Sequence, residues 1–567
     1  MARQFGYDIQ KEGDRRWRFD KEHFWRLLVN WIVAKNHAFS VAEEAELQAI
    51  FDYLNPSVSA HKANITHTTV RQKIIVAFEQ HKHKVIEALC KAPGLVHISF
   101  NGWRSGNRHA LYGICCFFRD ESNKPYKITL GLPEVSARHT GPNIATEILD
   151  VIESYQIQDK IGYFTLDNAK NNDTAMEIIG GELGFVGSRR RGRCFGHTLN
   201  LSAKAILFGH DADAFQQRIS GAEPVTEAEY LIWRKKGPAG KLHNLVVAIH
   251  RSDLLTNMLR SIQHEAFAKS SDPKLNARKP LDVILDNDTR WLSQLYMIRR
   301  ALLLRNYIER LIAHYRIEFE QQNKTKRGGP RKSLTLPFIC QPENQLSDKD
   351  WEVVEIFAQI LSYYEATVKM LEGDGQIRKR KRFEFLLEQL ERFKDIAKDF
   401  PDPEHFRINI NLGWQKLNKY YKILSETPIY YTGLALHPAY RWKWFERNWN
   451  DHPEWIDEAK KIVHDVWRFE YREATLPGES LSAVEPVPKK QKTSDNPFQE
   501  YLQRNRYIAP EAGHDGLTPG EDEYLHWVTH CESGDGSIDD PLAYWHEKRF
   551  KYPNLSRMAL DFLTIQP

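Results

Sequence analysis

The chain has 567 residues, with 79 Lys+Arg against 75 Asp+Glu, a formal net charge of +4, and 41% hydrophobic residues. That apolar content excludes a disordered chain, six Cys exclude a disulfide scaffold, and no run reaches the roughly 18 apolar residues that span a bilayer. A soluble, intracellular, multi-domain protein is expected, and its near-neutral charge confines any nucleic-acid contact to local basic patches.

The first stretch reads as helical. Phe24, Leu27, Leu28, Trp31 and Ile32 recur at helical spacing and predict one buried stripe. Val41 to Leu54 and Thr69 to Leu89 repeat the pattern, with Asn55-Pro56 as a turn between them. No Cys precedes Cys90, so no Cys2His2 zinc finger is expected here. The character changes at Val96. Val96–Phe100, His109–Phe118 and Pro125–Leu132 read as strands. Thr140 to Ile157 reads as a helix, and Ile161–Leu166 as a fourth strand that ends at Asp167-Asn168. The sum is an α/β module. From there to about residue 470 the pattern is helical, broken by the basic run Lys324 to Lys332. A Pro- and Lys-containing stretch near 474–495 reads as a linker. Beyond it, Leu555, Met558, Ala559, Phe562 and Leu563 make one apolar helical face.

Five segments could carry chemistry. Asp167 at a strand end can hold Mg²⁺, or can cap the helix that follows. Asn101, also at a strand end, can touch a metal without bringing charge, or can simply make a turn before Gly102. Cys194 and His197 have the spacing of half a zinc site, but no second pair is evident. Arg189, Arg190, Arg191 and Arg193 form a dense positive run that suits phosphate contact or a solvated loop. Arg290 can grip a phosphate and Trp291 can stack on an unpaired base, or the two can be a core Trp beside an ion-paired Arg.

In this order the segments resemble the hAT superfamily of DNA transposases, fungal-type members above all. Ser99 to Ser105 matches the family's Ser-Phe-Asp-Gly-Trp-Thr-Ser, and Asp167 to Asn172 matches Asp-Asn-Ala-x-Asn-Asn. Arg193 to Leu201 matches Arg-Cys-x-x-His-x-Leu-Asn-Leu, and Thr289 to Ser293 matches Thr-Arg-Trp-Asn-Ser. Leu436-His-Pro-x-Tyr440, Asp540-Pro-Leu-x-Tyr-Trp545 and Tyr552 to Ala559 are similar as well. The resemblance implies an RNase H-like mixed sheet interrupted by a large helical insertion domain, an α/β plus all-α class. The domains then read as a helical region 1–94, a first RNase H-like part 95–210, an insertion 211–473, a linker 474–514 and a hAT dimerisation-like segment 515–567. It also implies a carboxylate triad binding Mg²⁺ or Mn²⁺, with Asp167 as the second acid and metal ligand. Cys194 and His197 would support the site, and Arg290 and Trp291 would hold a flipped base. Trp545, Leu555, Met558 and Phe562 would serve dimerisation.

Two departures bear on activity. Asn101 stands where the family has its first catalytic Asp, and the chain stops at Pro567, before the helix expected to carry the last Glu. The expectation is therefore a degenerate, C-terminally truncated transposase relative that binds DNA, forms homodimers or larger homo-oligomers and is defective in strand cleavage. An active transposase and a non-catalytic interaction protein are the alternatives. Nuclear residence is expected from the class of substrate, with Pro488 to Lys492 as an import signal or a plain basic run.

Overall fold

The computed structural model describes residues 19–104, 109–135, 140–208, 237–286, 292–324, 335–369, 379–473 and 521–565, together with 497, 501 and 506. Two compact units emerge: Met1–Lys91 with Ser154–Gln156, and Ala92–Glu153 with Ile157–Pro567.

The first unit is helical. Its main elements are α1 (Lys21–Ala34), α2 (Ala45–Leu54) and α3 (His67–Lys91). Asp20 caps α1 by accepting from the His23 amide at 3.0 Å. The unit's small core is Leu28, Val29, Ile32, Ala42, Ile65 and Val70. The expected stripe on α1 was drawn one position too wide: Leu28 and Ile32 are buried, but Leu27 and Trp31 face outward. Trp25, whose indole donates to the Ala63 carbonyl at 2.6 Å, packs against this core, where Trp31 does not.

The second unit is built on a five-stranded sheet. The strands are β1 (Val96–Arg104), β2 (Ala110–Arg119), β3 (Pro125–Gly131), β4 (Ile161–Leu166) and β5 (Arg191–Arg193), in the order β3-β2-β1-β4-β5. The first three are antiparallel neighbours, while β4 runs parallel to β1 and β5 parallel to β4. Helix α4 (Gly141–Ser154) joins β3 to β4, and α5 (Lys170–Leu183) joins β4 to β5. All six residues of β4 are buried, as a central parallel strand requires. Helix α4 sinks Ile144, Ala145, Ile148 and Ile152, the face its periodicity predicts.

His97 on β1 is a buried base. Its Nδ1 accepts from the Tyr163 amide at 3.0 Å. Burial depresses its pKa to about 3, against the partial opposing pull of its bond to Asp561. The folded chain therefore holds His97 neutral while the unfolded chain protonates it below its ordinary value. This contribution to stability is complete above about pH 6.5 and is lost as pH falls toward about 3, at about 1.4 kcal/mol per unit. Denaturation of His97→Leu should show a correspondingly flatter acid limb between those values. An unchanged slope would rule the histidine out.

After β5 come α6 (Phe195–Phe208), α7 (Pro238–Arg251), α8 (Asp253–Ala268), α9 (Ser293–Gln322), α10 (Asp348–Lys369), α11 (Lys379–Ile396), α12 (Pro403–Ile423), α13 (Ile429–Ala435), α14 (Arg441–Asn448) and α15 (Pro453–Val466). A π-helical turn, Trp467–Tyr471, continues α15. Helices α7 and α8 are separated at Ser252, whose hydroxyl caps α8 at the Leu255 amide. Helices α6 and α12 cross where side chains are smallest: a Cβ on Gly413 would lie 2.3 Å from Ile206, and Ser202 donates to the Gly413 carbonyl at 2.9 Å. The C-terminal helices α16 (Glu523–Thr529), α17 (Pro541–Glu547) and α18 (Pro553–Thr564) share one apolar core with this helical body and with Tyr163 of the sheet. The class is thus α/β plus α-helical.

Candidate active site at the ends of β1 and β4

Ser99 on β1 pairs with Thr165 on β4 in a parallel register. That is the last pair of the ladder: Asp167 follows the end of β4, while β1 runs on to Arg104, so Asn101 lies inside β1 opposite Gly113 of β2 and not at the strand end expected for it. Each of the two lies two residues past the Ser99–Thr165 pair on neighbouring parallel strands, and the end of such a strand is where open α/β sheets build sites.

Asp167 first shapes its own turn. Its Oδ1 accepts from the Ala169 amide at 2.9 Å and from the Asn172 side-chain amide at 2.7 Å. That is the turn-making alternative, and it launches α5. Next to it, Asn168 donates to Thr198 at 3.1 Å, and the Cys194 amide donates to the Leu166 carbonyl at 2.6 Å. Cys194 and His197 therefore flank the strand end at the start of α6. Burial lowers the His197 pKa, with the charge of Asp167 pulling the other way. Burial and the same charge raise that of Tyr112, whose ring covers Gly102 so closely that a Cβ there would lie 2.7 Å from it.

The arginine run is mostly structural. Arg191 is buried and pairs with Asp173 of α5, and its Nη2 donates to the Asp167 carbonyl at 2.8 Å. Arg193 reaches the same Asp173 at 3.0 Å. Burial lowers the Arg191 pKa to about 9 and pushes that of Arg193 down as well. Arg190 pairs with Glu470 at 3.1 Å and donates to the Ile161 carbonyl. Only Arg189 of the four is exposed. As an outward phosphate-binding patch the run is corrected: β5 turns alternate guanidinium groups inward, where Asp173 and Glu470 neutralise them. Sequence reading missed Asp173, although its place in the first turn of a helix after the strand was a usable signal.

A two-metal centre needs several carboxylates to offset its charge. Among the described residues no group of three or more His, Cys, Asp or Glu is placed to hold a metal ion. Asp167 already uses one oxygen on its turn, and Asn101 adds no charge. The described residues do not fit a Mg²⁺ or Mn²⁺ pair. Arg290 and Trp291 lie outside the described residues, as do the 474–496 part of the linker and most of the Lys324 to Lys332 run.

Trp545, Leu555, Met558 and Phe562, expected at a dimer surface, are all 0% exposed. The Trp545 indole donates to the Leu436 carbonyl at 2.6 Å, and the Phe562 ring lies 4.9 Å from that of Tyr163. Their apolar face was read correctly, but it is covered by the chain's own core.

Residues 99–186 match the ZBED1 RNase-like domain, and residues 523–566 match the hAT family C-terminal dimerisation region. The chain is 20% identical to "Putative transcriptional regulator tpeD" of Talaromyces stipitatus, over 95% of this chain and 56% of that protein. It is 20% identical to "Putative AC transposase" of Zea mays, over 94% of this chain and 59% of that one. It is 18% identical to "Zinc finger BED domain-containing protein RICESLEEPER 1" of Oryza sativa, over 98% and 71%. The chain thus spans a little under three fifths of the first two relatives. Over most of its length it is similar to transposases and transposase-like proteins, and its C-terminal segment to the hAT dimerisation region.

Proposed function

We propose that this chain is a transposase-derived protein that binds DNA, assembles with a second copy, acts in the nucleus and does not cut DNA. The observation that carries the reading is Asn101, which lies two residues past the Ser99–Thr165 pair as Asp167 does, and brings no charge where a cleaving enzyme of this type would place a second carboxylate. The strand order supports an RNase H-like domain, and the helices after α6 support an insertion into it. The match to the dimerisation region supports self-association. Its pairing surface is assigned to the exposed Leu525, Val528 and Phe550. DNA contact is assigned to Arg290, Trp291 and the Lys324 to Lys332 run.

The test is incubation of duplex DNA with the protein in Mg²⁺ or Mn²⁺. The expected outcome is binding that weakens steeply with salt, with no nicking above an Asp167→Ala control. Restoring a carboxylate as Asn101→Asp should tighten Mn²⁺ binding about tenfold or more, because it sets a second charged oxygen ligand beside Asp167. Nicking by the unaltered chain would overturn the reading in favour of an active transposase. A flat salt response would remove DNA from it, and a monomer at all concentrations in sedimentation would remove self-association.

A further inference from the structure

Between α8 and α9 the chain runs Lys269-Ser-Ser-Asp-Pro-Lys-Leu-Asn-Ala-Arg-Lys279. Four cations, Lys269, Lys274, Arg278 and Lys279, stand there against one acid, Asp272, and all five are exposed. Asp272 spends an oxygen on the Lys274 amide at 2.9 Å, which shapes the helical turn Pro273–Asn276. Among the described residues none of the four cations makes an ion pair; the pair at this end of α8 belongs to Arg260 and Asp282. Adding Glu265, Asp282 and the two arginines that hold Asp282 leaves six cations against three acids, so the surplus survives its surroundings.

The exit of this loop is fixed by side chains from three helices. Buried Gln263 of α8 grips Leu281 twice: it donates to the Leu281 carbonyl and accepts from the Leu281 amide, each at 2.9 Å. Arg260 donates to the Asp282 carboxylate at 2.8 Å, and Arg300 of α9 to the Asp282 carbonyl at 2.6 Å. His243 of α7 meets Asp286 at 2.8 Å. A segment pinned in this way gives up little conformational freedom when it binds. Among the described residues 269–286 no large apolar side chain is exposed. The loop therefore lacks the aromatic or aliphatic anchor that the core of a protein interface needs. Unpaired cations on a fixed polar loop suit a polyanion, and the sugar–phosphate backbone of DNA is the one that the function proposed above supplies.

We propose that Lys269, Lys274, Arg278 and Lys279 form a phosphate-contact site for duplex DNA. The site rests on the DNA-binding reading and adds to it a surface separate in the chain from Arg290, Trp291 and the Lys324 to Lys332 run.

The experiment uses the full chain and fluorescence anisotropy of a labelled duplex, read from about 50 to 200 mM salt. The loop variant Lys274→Gln, Arg278→Gln, Lys279→Gln removes three exposed charges that make no described ion pair, so thermal unfolding should stay unchanged. A control variant, Lys35→Gln, Lys62→Gln, Lys84→Gln, removes the same charge from exposed positions of the first unit. In the loop variant the slope of log affinity against log salt should fall by about 2–3, since each phosphate contact contributes about 0.9. Its affinity at about 100 mM salt should drop at least about tenfold, while the control changes little. Binding by the parent with an unchanged slope in the loop variant would overturn this site and leave the DNA-binding reading standing. Equal weakening by the control would also overturn it, because overall charge would then account for the effect. No binding by the parent would overturn the site and the DNA-binding reading together.

Discussion

Asp561→Ala will destabilise the second unit by about 3–5 kcal/mol, the cost of leaving a buried charge without its partner. The Asp561 and Arg119 side chains are 1% and 5% exposed and meet at 3.2 Å. Asp561 also accepts from the Leu95 amide at 3.0 Å and from the Tyr471 hydroxyl at 3.1 Å. Arg119 continues to Asn123. One carboxylate of α18 thereby ties the entry to β1, the end of β2 and the π-helical turn. The site is so close that a Cβ on Gly94 would fall 2.0 Å from the Asp561 oxygen, which leaves glycine the only fit there. Burial raises the Asp561 pKa and lowers that of Arg119, and each charge works against that shift in the other. Denaturant titration should therefore show a large loss for Asp561→Ala. The paired replacement Asp561→Leu with Arg119→Met should recover most of it, because no lone charge remains. A single-variant loss below about 1 kcal/mol would mean that water reaches the pair.

Arg441→Ala will have a comparable effect through a different arrangement. Its Nη1 donates to the carbonyls of Trp527 at 2.9 Å and His530 at 2.6 Å, and its Nη2 meets Asp535 at 3.1 Å. Its guanidinium lies 3.4 Å from the centre of the Trp527 ring. The residue opens α14 with φ of +53°, a conformation disfavoured for side chains of this kind, and the surrounding bonds over-determine it. Removing it leaves Asp535, 2% exposed, without its cation and frees the carbonyls of Trp527 and His530, the first of them buried. The expected loss is about 3–5 kcal/mol, with faster proteolysis within 523–540 as the local signature. Arg441→Lys should recover little, because an ammonium cannot serve the carbonyls, the carboxylate and the ring face together. A lysine variant as stable as the parent would show that charge alone matters there.

Much of the sheet was legible from the residues. The strands from Val96 to Leu166 announced themselves through β-branched and aromatic runs closed by turn residues, and α4 through its period. β5 was not legible: it is three residues long and two of them are arginine, a composition that reads as loop until a partner strand and Asp173 are in place. Local pattern also assigned the arginine run to solvent, since nothing near it in sequence foretells Glu470. The same limit hid the Asp561–Arg119 and Arg441–Asp535 pairs, whose members are far apart along the chain. Of the candidate site, Asp167 was visible as the residue that ends a strand. Asn101 was read the same way, but β1 runs on to Arg104 and pairs Asn101 with Gly113, because β2 offers it a partner that no local pattern announces.

The reach of the Asp561–Arg119 pair has a consequence during synthesis. The two residues are 442 positions apart. At roughly 5–20 residues per second, Arg119 emerges on the order of 20–90 s before the carboxylate that will neutralise it exists. β1 and β2 can pair early, since their contacts are local, but their outer end must wait with a bare guanidinium and an open edge. Over that interval the nascent sheet keeps this end uncovered, and closure by α18 is the step that ends it.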